Sequence, residues 1–292
     1  MCDDVAFNDM NEYTLRNGGL TRRELGRLTL AAGLVFALPR AANAMDTTES
    51  EVEIKTPDGT TDAYFVHPAS GKHPGVLIWP DIFGLRPAFR QMGKRLAEAG
   101  YSVLVVNPFY RTKKAPTAPE KPDFDDPATR EMLMGLKNTL GPATAKTDAK
   151  AFIPWLDAQS AVDTKRKIGT TGYCMGGPLV FETAAAMADR IGAGATFHGG
   201  GLVTDQPESP HLLIPKMKAH FLIAIAENDD QKQPDAKGTL RDSFAKAKLP
   251  AEIEVYAGTL HGWCPPDSAV YNAPQAEKAW ERMLALFKES LA

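Results

Sequence analysis

The feature that most constrains the fold is a set of short, unbroken apolar runs: Gly75-Val-Leu-Ile-Trp-Pro80, Tyr101-Ser-Val-Leu-Val-Val106 and His220-Phe-Leu-Ile-Ala-Ile-Ala226. Strands that are apolar on both faces have to be covered on both faces, which is the condition of a buried parallel sheet. Further strand-like segments are Lys167–Tyr173, Gly194–Phe197 and Ala251–Tyr256. Helical stretches fall between them, around Gln91 to Ala99 (closed by Gly100), from about Gly177 to Ile191, from Asp235 to Ala247 and from Pro274 to Leu291. This alternation predicts an α/β fold with a mostly parallel central sheet and helices on both faces. Before it, Glu51–Thr56 and Thr61–Val66 alternate about the turn Pro57-Asp58-Gly59 and predict a hairpin. The Lys-, Pro- and Asp-rich segment from Thr112 to about Asp126 is expected to be a loop bordering a pocket and leading into a helix near Thr129 to Leu140. No repeat or low-complexity tract divides the 292 residues, so residues 45–292 are expected to form one domain.

The first 44 residues read differently. Thr21-Arg22-Arg23-Glu24-Leu25 precedes an uncharged, largely apolar run from Leu28 to Leu38 and then Ala42-Asn43-Ala44, the layout of a secretory leader. The paired arginines point to the twin-arginine export machinery, hence to an exported, periplasmic protein. An amphipathic leader helix that stays attached is the competing reading. The 11-residue run falls short of the roughly 18 to 20 residues that span a bilayer, so no permanent membrane span is expected. Basic and acidic residues balance within the leader, so the net charge is −3 with or without it. With Lys113-Lys114 and Lys165-Arg166-Lys167 the only basic clusters beyond the leader, nucleic acid is not an expected partner.

Of the three cysteines, Cys2 belongs to the leader, leaving Cys174 and Cys264. In an oxidising compartment a structural disulfide is the plain reading of such a pair. The surroundings of Cys174 point elsewhere: Gly172-Tyr173-Cys174-Met175-Gly176-Gly177 lies between an apolar strand and a small-residue helix. That is the nucleophile elbow G-x-S-x-G with cysteine in the serine position. The following helix directs free N–H groups and a positive dipole end at the sulfur, which favours thiolate. A nucleophile so placed requires an acid and then a histidine later in the chain, each just past a strand. Glu227-Asn228-Asp229-Asp230 follows the strand ending at Ala226, and His261 follows the strand ending at Tyr256. Asp229 is chosen as the acid, with Asp230 and Glu227 as alternatives. Cys264 is either a partly buried free thiol or a partner for Cys174. His198 follows a strand and either lines the pocket or serves a turn. Tyr110 and Arg111 follow the strand ending at Val106, where an arginine can bind a substrate carboxylate. Trp79, Phe83 and Trp263 are pocket walls or core.

Together with Trp79-Pro80-Asp81-Ile82-Phe83-Gly84-Leu85, the segments Gly172–Gly177, Ala226–Asp229 and His261-Gly262 resemble the dienelactone hydrolases of the α/β-hydrolase superfamily, over roughly residues 51 to 290. The resemblance implies a Cys174, Asp229 and His261 triad, no metal or organic cofactor, and small lactone substrates such as carboxymethylenebutenolide. It implies an oxyanion hole from the backbone amides of Ile82 and Met175. It also implies a carboxylate at Asp81 that contacts the cysteine, although the family's glutamate is one methylene longer. Two alternatives stay open: the same fold acting on thioesters, peptides or larger esters, and a non-hydrolytic redox or binding protein in which Cys174 and Cys264 exchange a disulfide.

Overall fold

The structure, a computed structural model, describes residues 38–39, 44–119, 122, 124 and 126–292. The expected leader, apart from Leu38, Pro39 and Ala44, lies outside the described residues, as do four positions of the loop expected between Thr112 and Asp126.

Eight strands form one sheet among the described residues. In chain order they are β1 (Thr47–Thr56), β2 (Gly59–Pro68), β3 (Gly75–Trp79), β4 (Ser102–Val106), β5 (Ile168–Tyr173), β6 (Ile191–Phe197), β7 (His220–Ala226) and β8 (Ala251–Tyr256). The helices are α1 (Pro87–Glu98), α2 (Pro127–Lys137), α3 (Pro142–Asp157), α4 (Gly176–Ala186), α5 (Glu227–Lys232), α6 (Ala236–Ala247) and α7 (Ala273–Ser290), with a 3₁₀ segment at Pro210–Lys216. The sheet order is β1-β2-β4-β3-β5-β6-β7-β8. β1 and β2 form the expected hairpin and β2 pairs antiparallel with β4, while all pairs from β4 through β8 are parallel.

Burial explains the arrangement. Every residue of β3, β4 and β5 is buried, as strands apolar on both faces require, whereas β1, at the edge, is mostly exposed. One apolar cluster lies on each face: Leu77, Leu104, Phe152 and Phe181 on one, Ile78, Val105, Phe89 and Phe287 on the other. Each such side chain contributes roughly 1.5–3 kcal/mol on burial. The helix α3 was not anticipated between Leu140 and the strand β5; its apolar face, Ala145, Ala149, Phe152, Ile153 and Leu156, packs into the first cluster despite the internal Pro154. Among the described residues no helix is long and apolar enough to cross a membrane.

The topology fixes where a site can form. The chain leaves β3 for β4 on one side and returns to β5 on the other, so the order reverses at β3, and the crevice beyond the carboxyl ends of β3 and β5 is the place where open α/β sheets bind ligands.

Candidate active site

Cys174 sits one residue past β5 with φ = 52°, in the left-handed region that costs a non-glycine residue of order 1–3 kcal/mol. Its neighbours make the conformation feasible. A Cβ on Gly172 would stand 2.2 Å from the Gly176 carbonyl oxygen, and one on Gly176 would stand 2.4 Å from the Trp79 carbonyl oxygen. Only glycine lets the elbow close on itself and lie against the end of β3. The Cys174 N–H donates to the Phe197 carbonyl at 3.0 Å, and its own carbonyl accepts from the Gly177 N–H at 3.0 Å, pinning the turn to β6 and to the start of α4.

Three side chains from three strand ends converge here. His261 Nε2 lies 3.0 Å from Cys174 Sγ, and His261 Nδ1 lies 2.7 Å from Asp229 Oδ2. A carboxylate only accepts, so the Asp229 contact places a proton on Nδ1 and turns the Nε2 lone pair of the neutral ring toward the sulfur. The loop is held on both sides of the ring: the His261 N–H donates to Asn228 Oδ1 at 2.9 Å, and the Gly258 N–H donates to Glu227 Oε2 at 2.6 Å. The strand-end acids thus take different partners, Glu227 the Gly258 amide, Asp229 the imidazole and Asp230 the Lys237 ammonium at 2.6 Å. These acids lie in the short helix α5 rather than in an open loop; acidic residues in a first helical turn suit the helix dipole.

Cys174 is disulfide-bonded in this structure, whereas Cys264 is free and buried, so the two do not bridge each other. The chemistry considered below is that of the reduced Cys174 thiol. Burial pushes the Cys264 thiol well above its ordinary range, which disfavours the thiolate that an exchanging pair requires.

Two backbone amides are the candidate oxyanion donors. Ile82 is two residues past Pro80 in the loop after β3, Met175 begins the turn into α4, and both residues are buried. Among the described residues, neither amide donates to another backbone carbonyl outside the regular elements.

The auxiliary residues are placed as follows. His198 is fully buried at the end of β6 with φ = 42°, its ring 5.2 Å from that of His261 in an edge-to-face arrangement. Neither ring nitrogen has a hydrogen-bond partner among the described residues. Burial, and then the neighbouring His261, hold its pKa well below the ordinary histidine value. Trp263 is core rather than pocket wall: it is completely buried and stacks on Tyr256 at 4.8 Å. Trp79 is likewise core, its indole N–H donating to Thr183 Oγ1 at 3.1 Å. Arg111 does not present a vacant cation to a substrate carboxylate, because its guanidinium holds Asp148 at 2.7 and 2.9 Å and Asp58 at 2.6 and 3.0 Å. Tyr110 completes that cluster by donating to Asp148 Oδ1 at 2.7 Å, with Thr56 Oγ1 at the same distance.

Asp81 also departs from expectation. Its two oxygens are held by Arg86, Nη1 to Oδ1 at 2.6 Å and Nη2 to Oδ2 at 3.0 Å, and Oδ1 accepts from the Phe83 N–H at 2.9 Å. The carboxylate is therefore directed at a cation, and the one-methylene reach that would bring it to the cysteine is replaced by an ion pair. Sequence reasoning missed Arg86, Asn228 and Asp267; Arg86 lies one residue beyond the segment that carries the resemblance, and Asn228 lies inside the acidic run, where an amide beside three carboxylates carries no signal of its own.

Known proteins share this arrangement of chain. A Synechocystis protein is 27% identical over 237 residues, covering 78% of this chain and 91% of its own. The carboxymethylenebutenolidase of Rhodococcus opacus is 25% identical over 244 residues, covering 81% and 90%. Among solved structures, a Klebsiella pneumoniae chain matches with a TM-score of 0.71 at 24% identity, and the dienelactone hydrolase of Anabaena variabilis with 0.61 at 14%, each covering 84% of this chain and 99% of the other. At those identities the structural matches establish the fold alone. The sequence model described as the dienelactone hydrolase family matches residues 61–291, from β2 to the end of α7, and so spans the elbow, the acid and the histidine together: this chain belongs to the dienelactone hydrolase family, with an α/β-hydrolase fold.

Proposed function

We propose that this protein hydrolyses small lactones or carboxylic esters through Cys174, with His261 as its base and Asp229 orienting the histidine. The observation that carries the reading is the continuous chain from Asp229 through the imidazole to the sulfur, 2.7 Å and 3.0 Å, on an elbow held in a strained conformation. Family membership supports a hydrolase of a small molecule, and the relative named a carboxymethylenebutenolidase supports a lactone as the type of substrate.

In the reaction, the reduced Cys174 gives its proton to His261 Nε2 and the thiolate attacks the carbonyl carbon. The carbonyl electron pair moves to oxygen, where the Ile82 and Met175 amides receive the oxyanion. Collapse breaks the ester C–O bond, His261 returns the proton to the leaving oxygen, and a thioester on Cys174 remains. With a lactone the leaving oxygen stays tethered. His261 then takes a proton from water, hydroxide attacks the thioester, and the acid leaves as the thiol is restored. Asp229 keeps the ring in the required tautomer and stabilises the imidazolium. His198, held neutral by burial, packs edge-to-face against the His261 ring and limits the positions that ring can take.

The residues before Met45 are proposed to act as a twin-arginine leader that delivers the protein to the periplasm; cell fractionation with and without Arg22→Lys and Arg23→Lys tests it, and a protein found equally in the periplasm of both strains contradicts it.

The function is tested by assaying the reduced protein on a dienelactone and on a small activated ester beside Cys174→Ala. Turnover of both by the parent and of neither by the variant is expected. Parental rates in Cys174→Ala would overturn the proposal.

A further inference from the structure

The loop after β3 carries a side chain for which the reaction above has no use. Arg86, the N-cap of α1, folds its guanidinium back over its own loop and across to a second one. One edge holds Asp81 at 2.6 and 3.0 Å. The other holds Asp267, Nε to Oδ2 at 2.6 Å and Nη2 to Oδ1 at 2.9 Å. Arg86 is 12% exposed at its side chain, and the cation lies 4.8 Å from the ring of Phe89 and 5.4 Å from that of Phe83.

The positions of the two carboxylates give the contact its meaning. Asp81 directly precedes Ile82, and its backbone carbonyl accepts from the Gly84 N–H at 2.9 Å while its side chain accepts from the Phe83 N–H, so the carboxylate and the Ile82 peptide belong to one tight turn. Asp267 is six residues after His261, in the loop that carries the imidazole from β8 toward α7. The two loops are 181 residues apart in sequence, yet one planar, five-donor group grips both. Stabilisation alone is a weak reason for such an arrangement, since burying one cation between two anions sacrifices hydration that the pairing barely recovers. What a bidentate guanidinium supplies in full is geometry. If the purpose were to hold the β3 loop alone, the Asp81 edge would suffice; the Asp267 edge has to do with the other loop.

We propose that Asp81, Arg86 and Asp267 form a clasp that fixes the Ile82 amide in register with His261, with Arg86 as a positioning residue for the hydrolysis. The proposal rests on the reading of Cys174 and His261 given above. It assigns Asp81 a role that does not involve contact with the nucleophile: its charge anchors the oxyanion side of the site to the base side. An amide that drifts from its place by a fraction of an ångström stabilises the oxyanion less while leaving the substrate's ground-state contacts in place, so the loss falls on kcat. Both acylation and deacylation pass through an oxyanion, so both slow together.

The test uses the reduced full-length protein and whichever small ester the parent hydrolyses. Asp267→Ala removes only the second edge, at a partly exposed side chain, and is expected to lower kcat by about 10- to 100-fold. KM should stay within about threefold and thermal unfolding close to the parent. Rapid-mixing traces should show the acylation and deacylation rates falling by the same factor. Arg86→Lys should reproduce the defect, because a point-charge ammonium cannot grip two carboxylates edge-on, whereas Asp267→Glu should recover part of the rate. A parental kcat in Asp267→Ala overturns the clasp, as does a loss that disappears once activity is expressed per folded molecule. Cys174→Ala, run alongside, separates the two claims: if it is inert while Asp267→Ala is parental, only the clasp fails, and if it is as active as the parent, the reading of the site fails and the clasp with it.

Discussion

Two polar clusters stand beyond the carboxyl end of the sheet, and they are built in opposite ways. Past β4, Tyr110 and Arg111 meet Thr56, Asp58 and the fully buried Asp148, and the charged groups there are matched: two carboxylates, a guanidinium and a phenol exchange bonds of 2.6 to 3.0 Å. Past β5, β7 and β8, Cys174 stands on a left-handed backbone, and the buried His198 imidazole beside His261 has both nitrogens without a partner among the described residues. The first cluster settles its charges internally and keeps its backbone relaxed, which is what a structural joint requires. The second retains strain and unsatisfied polar groups, which a protein tolerates where chemistry is done. The contrast explains why Arg111, attractive in sequence as a substrate anchor, behaves as part of the frame.

The comparison is broken most sharply by changing one acid in each kind of setting. Asp229→Asn keeps the shape of the side chain but can donate to Nδ1, reversing the tautomer, and a fall in kcat of about 10⁴-fold is expected. Asp230→Asn, which loses only its ion pair with Lys237, should remain within about threefold. Steady-state kinetics on a small ester distinguishes them, and equal effects would mean that the acid is misassigned.

Arg111→Ala should act in the other currency. It leaves Asp148 buried beside Tyr110 with its cation gone, at a cost of about 3–5 kcal/mol in unfolding free energy. In the native protein, burial pushes the Asp148 carboxyl up against the opposing pull of Arg111. Urea unfolding measures the loss, and activity per folded molecule should stay near the parent's. A selective rise in KM for anionic substrates, with stability intact, would return Arg111 to the binding site.

The smallest effect is expected from His198→Asn, which removes a titrating group while suiting a positive φ. The folded protein binds a proton at His198 more weakly than the unfolded chain, so this group withdraws stability as pH falls below about 6.5. Melting temperatures followed from pH 8 to 5 should decline less steeply in the variant than in the parent; parallel curves would mean that His198 titrates normally in the fold.

The elements that could be read in sequence are those where one physical signal dominates. β3, β4 and β7 declare themselves as unbroken apolar runs, and the elbow is marked by glycines that close packing demands at Gly172 and Gly176. Strand order then brings residues 174, 229 and 261 to one end of the sheet, which is why their order in the chain could suggest a site. α3 escaped notice because Pro142 and Pro154 mask an apolar face that only its packing partners make plain. Arg86 and Asp267 were invisible for a different reason: a salt bridge between loops 181 residues apart leaves no local pattern. Trp263 illustrates the remaining limit, since an aromatic beside a candidate base has the same sequence signature whether it lines a pocket or, as here, stacks within the core.

The central claim, that the strained cluster beyond β5 is the reactive one, is tested most directly by alkylating the reduced native protein with iodoacetamide while following ester hydrolysis and mapping the modified peptides. The account predicts that turnover disappears in step with modification of Cys174, while Cys264, whose thiol is pushed well above its ordinary range and so stays protonated, remains unlabelled. Full hydrolytic activity in protein whose Cys174 is completely alkylated would contradict it.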